Sequence, residues 1–157
     1  MSGERFTLDT NILIYSIDAG AGPRHDVAAQ VVQRAEDLAC CLTLQAVSEF
    51  YAVVTQKGLL SRIQATEAAR LWLDMFPIVC ASAASARMAL ELAVARRASY
   101  WDALLVATAA EGKCSAILTE DLGNGANLAG VRIVNPFDNG QLSEAARLIL
   151  NETDPAA

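Results

Sequence analysis

Two rhythms of apolar and polar positions alternate along the chain. Short, solidly apolar runs are separated by longer stretches in which apolar residues recur every three or four positions. The first rhythm suits strands buried on both faces, and the second suits helices with one covered side. Arg5 to Leu8 predicts a short buried strand, and Asp9-Thr10-Asn11 turns from it into a helix reaching Ile17. Gly20-Ala21-Gly22-Pro23 reads as a loop, after which Val27, Val31, Val32, Ala35 and Leu38 keep helical spacing over 24–38. Cys40 to Leu44 predicts a second strand. Gln45 to Lys57 predicts a helix closed by Gly58, the residue favoured just past a helix end. Ser61 is placed to cap a helix running to Phe76, because its hydroxyl can accept orphan amide hydrogens.

Ile78 to Cys80 predicts a third short strand, followed by an Ala-rich helix over 83–97 and another over 101–111 that ends at Gly112. Ala116 to Leu118 and Val131 to Val134 read as strands, with Gly123-Asn124-Gly125 looping between them. Leu142 to Leu150 is weakly amphipathic and predicts a closing helix. Strands alternating with helices imply a parallel sheet covered on both faces, an α/β class. With 157 residues and no internal repeat or linker, one domain is expected. We assign residues 1–140 to it and 141–157 to a C-terminal helix and tail. In such sheets, functional groups gather at the carboxyl ends of strands near a switch in strand order.

Composition narrows the picture. Hydrophobic residues make up 54% of the chain, which predicts a packed globule. The longest uncharged stretch, Met75 to Ala86, contains Pro77 and is too short to span a membrane, and the N-terminus lacks a signal-type apolar segment. Cysteines 40, 41, 80 and 114 have no metal-type C-x-x-C spacing, so a reduced, cytoplasmic protein is the default. The net charge of −6 argues against broad electrostatic binding of nucleic acid, while leaving room for a local basic rim. Ten arginines against two lysines suit bidentate phosphate contacts. The single histidine, His25, excludes chemistry that needs two within one chain, and it reads as a surface residue.

Four carboxylates stand alone in apolar surroundings. Asp9 is the only charge between Arg5 and Asp18, Glu49 between Asp37 and Lys57, and Asp102 between Arg97 and Glu111. Asp121 follows Ser-Ala-Ile-Leu-Thr with only Glu120 as a charged neighbour, and alternation points Glu120 the other way. Desolvating an ionised carboxylate is costly unless it is paired or bound to metal. None of the four has a Lys or Arg within three residues, so local ion pairs do not account for them. Brought together, they would need a divalent cation. Taken singly, Asp9 and Asp121 could instead terminate strands and Asp102 could cap a helix.

The pieces Leu8-Asp9-Thr10-Asn11, Ser48-Glu49-Phe50, Tyr100-Trp101-Asp102-Ala103 and Leu118-Thr119-Glu120-Asp121-Leu122, in this order over roughly residues 5–137, resemble a PIN-domain ribonuclease. The resemblance extends to the VapC-type toxins of toxin–antitoxin pairs. It implies a single-domain α/β/α sandwich with a short parallel sheet. It also implies Mg²⁺ or Mn²⁺ as cofactor and hydrolysis of RNA by a metal-activated water. Asp9, Asp102 and Asp121 are then the expected metal ligands and catalytic residues. Glu49 joins them as ligand of a second metal or orienter of water. Asn11 and Thr119 are expected to fix carboxylate orientation, and Arg96 or Arg97 to touch the RNA backbone. A homodimer and a small antitoxin are the implied partners.

Rival readings remain. A phosphatase-type Asp-x-Asp is absent because position 11 is Asn, and Lys113 precedes the last central strand where a phosphoacceptor domain would want a lysine after it. A non-catalytic metal- or partner-binding module and a structure-specific DNA nuclease stay open. Tyr100 and Trp101 are expected to pack in the core or the site wall in preference to serving as base-stacking platforms, and Trp72 and Phe76 in the core or a dimer interface.

Overall fold

A computed structural model describes residues 3–152. Strand β1 (Phe6–Leu8) is wholly buried and leads into α1 (Thr10–Ile17). A single 3-10 turn (Ala19–Ala21) precedes α2 (Pro23–Ala35), which has proline in its first turn, where no amide hydrogen is needed. Strand β2 (Cys40–Thr43) feeds α3 (Leu44–Gln56), then α4 (Arg62–Met75) and β3 (Ile78–Val79). Helices α5 (Ala83–Val94) and α6 (Tyr100–Glu111) precede β4 (Ala116–Leu118). The remainder comprises β5 (Asn127–Leu128), β6 (Val131–Val134), β7 (Phe137–Asp138), β8 (Gln141–Leu142) and α7 (Glu144–Ile149).

The main sheet has the order β3-β2-β1-β4-β6-β5 and is parallel except for β5. The α/β class with a covered, mostly parallel sheet is therefore as the sequence predicts. The chain lays β1, β2 and β3 outward in one direction, then returns to place β4 on the other side of β1. The switch in strand order thus falls between β1 and β4. One core runs through the molecule, with Phe6, Leu8, Phe50, Ile117, Leu118 and Ile133 fully enclosed. Trp72 and Phe76 belong to it, and the Trp72 ring meets Phe50 edge-on at 4.5 Å. From α7, Ala146 and Ile149 pack into the same core. The tail expected beyond α7 lies outside the described residues from 153 onward.

Several boundaries differ from the sequence reading for local reasons. Leu44 opens α3 and does not extend β2, because the Thr43 side chain accepts the amide hydrogen of Ala46 and starts the helix one residue early. Helix α5 stops at Val94, short of 97, and Arg96 adopts φ 55° as the chain leaves it. Strands β5, β7 and β8 have two residues each, too few for alternation to register. The β7–β8 hairpin turns through Asn139 (φ 49°) and Gly140 (φ 80°), the Asn-Gly pair that favours such turns. Gly140→Ala is expected to cost about 1 kcal/mol, since an L side chain is strained at that φ. Its Cβ would also stand 3.4 Å from the Pro23 Cβ. A denaturant melt of the variant measures this, and α1–α6 are expected to be unaffected.

Cys40, Cys41 and Cys114 are buried and Cys80 is exposed, all four as free thiols. No helix among the described residues is long and apolar enough to cross a membrane.

Candidate functional site

The parallel register pairs Leu8 with Leu118, so the residues that follow, Asp9 and Thr119, emerge side by side at the carboxyl end of the sheet. The Asp9 amide donates to the Leu118 carbonyl (3.0 Å) and closes the ladder there. Asp9 is 7% exposed. Its Oδ1 accepts from the Thr10 amide (2.6 Å), which makes it the N-cap of α1, and its Oδ2 accepts from the Thr119 hydroxyl (2.7 Å). The Thr119 oxygen in turn accepts from the Asp121 amide (3.2 Å) and the Asn11 side-chain amide (3.4 Å). Asn11 Nδ2 also donates to Asp121 Oδ2 (2.9 Å). One buried threonine hydroxyl and one asparagine thereby tie the end of β1 to the end of β4 across the switch point.

Helix α3 begins at the same edge because β2 lies beside β1. It carries Glu49, half-buried, whose Oε2 accepts from the Thr10 hydroxyl (3.1 Å) and whose Oε1 accepts from Gln45 Nε2 (3.0 Å). The same Gln45 amide reaches the Trp101 carbonyl (3.1 Å) and ties α3 to the start of α6. Ser99 caps α6 by accepting the amide hydrogen of Asp102 (3.2 Å). Asp102 therefore sits in the first turn of α6, where the helix dipole favours a negative charge.

Electrostatics link these groups. The Asp9 carboxyl is pushed up to about 6, chiefly by burial. The hydrogen bonds from Thr119 and Thr10 oppose that rise, and the charges of Asp102 and Asp121 add to it. Asp102 and Asp121 thus stand near enough to Asp9 to be felt, and Glu49 is joined to it through Thr10. The four sequence-predicted acids and their two expected orienting residues lie along one edge.

Glu120 has a different role. It accepts from the Tyr15 hydroxyl and pairs with Arg24 (2.9 Å), whose guanidinium lies about 6 Å from the Tyr15 and Phe137 rings. Arg96 and Arg97 are both exposed, and Arg97 donates one hydrogen bond to the Asn127 carbonyl (3.0 Å) of β5. His25 is half-buried, with Nδ1 2.9 Å from the Tyr15 carbonyl. The expectation for Trp101 needs correction. It is 63% exposed and is not part of the core. Position 101 lies in the first turn of α6, before Ala103 to Ala109 sink into the core. Thr10 and Gln45, which hold Glu49, were not singled out from the sequence, since their partner lies in another part of the chain or one helical turn away with no charge to mark it.

The donor set fits a hard divalent cation. It consists of carboxylates with no competing Lys or Arg, and the Asn11 Oδ1 and Gln45 Oε1 atoms are buried acceptors with no donor facing them. Among the described residues, no three Asp, Glu, His or Cys side chains stand close enough to hold an ion by themselves. Mg²⁺ does not need such a cage, since it usually takes one or two carboxylates together with waters and substrate phosphate.

The PIN domain family model matches residues 6–123, and the chain belongs to the PIN-domain family. Among solved structures, the chain is similar to VapBC2 from Rickettsia felis, described as bound to a DNA fragment from its promoter. The TM-score is 0.62 at 16% identity, over 85% of this chain and 98% of that one. A toxin–antitoxin complex from Klebsiella pneumoniae gives 0.61 at 24% identity, over 84% and 98%. VapC20 of Mycobacterium tuberculosis, described as a sarcin–ricin loop cleaving toxin, gives 0.60 at 17% identity, over 71% and 86%. At these identities the likeness is one of fold. No curated protein matches the chain by sequence.

Proposed function

We propose that the protein is a metal-dependent endoribonuclease and the toxin of a toxin–antitoxin pair. The observation that carries this reading is the edge formed by Asp9, Asp102, Asp121 and Glu49, with Asp9 buried and, among the described residues, no basic side chain hydrogen-bonded to any of the four. We take residues 1–140 as the nuclease domain, with the C-terminal helix packed on it. Asp9, Asp102 and Asp121 would supply ligands to Mg²⁺ or Mn²⁺ together with waters and substrate phosphate, and Glu49 would hold a second ion or orient a water. A bound cation lowers the proton affinity of water and offsets charge on the leaving oxygen. Thr119 and Asn11 hold the Asp9 and Asp121 carboxylates in register, and Thr10 and Gln45 do the same for Glu49. No step requires a histidine or the 2′-hydroxyl as nucleophile.

The similar Klebsiella pneumoniae structure is a toxin–antitoxin complex, and this supports a protein partner for the chain. An antitoxin segment carrying Arg or Lys would compete with the cation for the acidic edge. Apolar residues of α3 and α4, such as Tyr51 and Leu71, are candidate walls for it. A homodimer acting on cytoplasmic RNA completes the reading, with Arg96 the freer of the two arginines for a phosphate contact.

The test is incubation with defined single-stranded RNAs and matched DNAs, with Mn²⁺ or EDTA. Cuts in RNA that depend on Mn²⁺ and leave 5′-phosphate and 3′-hydroxyl ends are expected. Cyclic 2′,3′-phosphate ends would reject the hydrolytic mechanism. Cleavage confined to DNA would reassign the substrate, and inertness towards both would favour a binding module.

A further inference from the structure

Trp101 is the most exposed aromatic side chain among the described residues, at 63%, whereas the only other tryptophan, Trp72, is 5% exposed. Leaving an indole in water forgoes a large hydrophobic gain, so its position asks for a ligand. The surroundings are specific. Trp101 immediately precedes Asp102, and its carbonyl is pinned by the Gln45 amide that also holds Glu49. One edge of the ring is braced by Tyr100, with centroids 5.3 Å apart and planes at 67°. The first turn of α6, which carries both Trp101 and Asp102, is therefore tied to the helix that carries Glu49, and the indole stands exposed beside it.

Charge limits how an RNA can be held here. A row of carboxylates on a chain of net charge −6 repels the phosphates of a nucleic acid. Affinity for RNA must come in part from contacts that do not depend on charge. Stacking of a base on an aromatic face is such a contact, and it tolerates any base.

We propose that Trp101 is a stacking platform for an unpaired base of the RNA beside the cut phosphate, an inference that rests on the nuclease reading. The base it takes is unpaired, since a base within a duplex cannot present its face.

Fluorescence and kinetics of the full-length protein test this together. Because Trp72 is buried, quenching of the solvent-exposed emission reports on Trp101. An unstructured RNA of about ten nucleotides, within the usual span of such sites, is titrated in EDTA so that no turnover occurs. Quenching that saturates is expected. With Mn²⁺, Trp101→Ala is expected to raise KM about tenfold, within the range that alanine substitution gives for base stacking. Its kcat should stay within about twofold, and Trp101→Phe should recover most of the loss. Equal melting curves for the variants and the wild type exclude a folding defect.

An unchanged KM in Trp101→Ala, with wild type active, overturns the stacking contact and leaves the nuclease standing. Emission that changes on dilution of RNA-free protein, with KM again unchanged, assigns the indole to an interface between copies and likewise overturns it. A wild-type protein that neither binds nor cuts RNA overturns both readings.

Discussion

Asp9→Asn is expected to abolish cleavage and, at neutral pH without metal, to make the protein more stable than wild type. The two effects have one cause. Asp9 ionises near 6 in the folded chain, against 3.8 as an ordinary aspartate, chiefly because it is buried. Between those values the native state binds more protons than the unfolded state, so wild-type stability falls as pH rises. The stabilisation that protonated Asp9 provides is complete below about 4 and is lost by the time pH passes 6. At about 1.4 kcal/mol per tenfold change in proton affinity, the loss is roughly 3 kcal/mol.

Asparagine has nearly the same shape and remains a good N-cap for α1, so the variant keeps the fold and escapes the penalty. Denaturant melts at pH 4 and pH 7.5 in EDTA should show the two proteins close at the lower pH and the variant ahead at the higher. A variant less stable at pH 7.5 would make Asp9 an ordinary structural cap. Activity should fall by more than about a hundredfold, because residues that merely orient metal ligands already account for 10–100-fold.

Thr119→Val is expected to act in the opposite direction on stability. The hydroxyl is buried and serves three partners at once, Asp9, Asp121 and Asn11. Valine fills the same volume but leaves Asp9 Oδ2 without its donor. An unsatisfied buried polar group costs about 1–3 kcal/mol, with more for a charged one. The bond from Thr119 is also what holds the Asp9 carboxyl down towards about 6, so its removal raises that value further. The deficit should therefore grow as pH rises from 4 to 8, since ionised Asp9 needs the donor more than the protonated form does. Cleavage should drop about 10–100-fold, as expected for loss of an orienting partner. A deficit independent of pH would mean that Thr119 matters only for packing.

The framework was legible because strands β1, β2 and β4 are solid apolar runs and the helices between them begin at readable caps. Asp9 and Asp121 could be found from the sequence because charge is rare next to such runs. What stayed hidden has physical reasons. Strands β5, β7 and β8 pair one apolar residue with one polar residue, so they lacked the apolar run that marked the equally short β3. Thr10 gains its role only when α3 lies against α1, and Gln45, one turn before Glu49 on the same helix, carries no charge to mark it. Trp101 was misjudged because α6 is buried on nearly all sides, so the sequence offered no polar face against which to orient its first turn.

The central claim is that these carboxylates form one cation site, and a Mn²⁺ titration followed by electron paramagnetic resonance of the free ion tests it most directly. Glu120→Gln is the matched control, since Glu120 adjoins Asp121 but is already engaged by Arg24 and Tyr15. Wild type and Glu120→Gln should take up Mn²⁺ alike, and Asp9→Asn should bind at least about tenfold more weakly. Equal binding by Asp9→Asn and wild type would contradict the account.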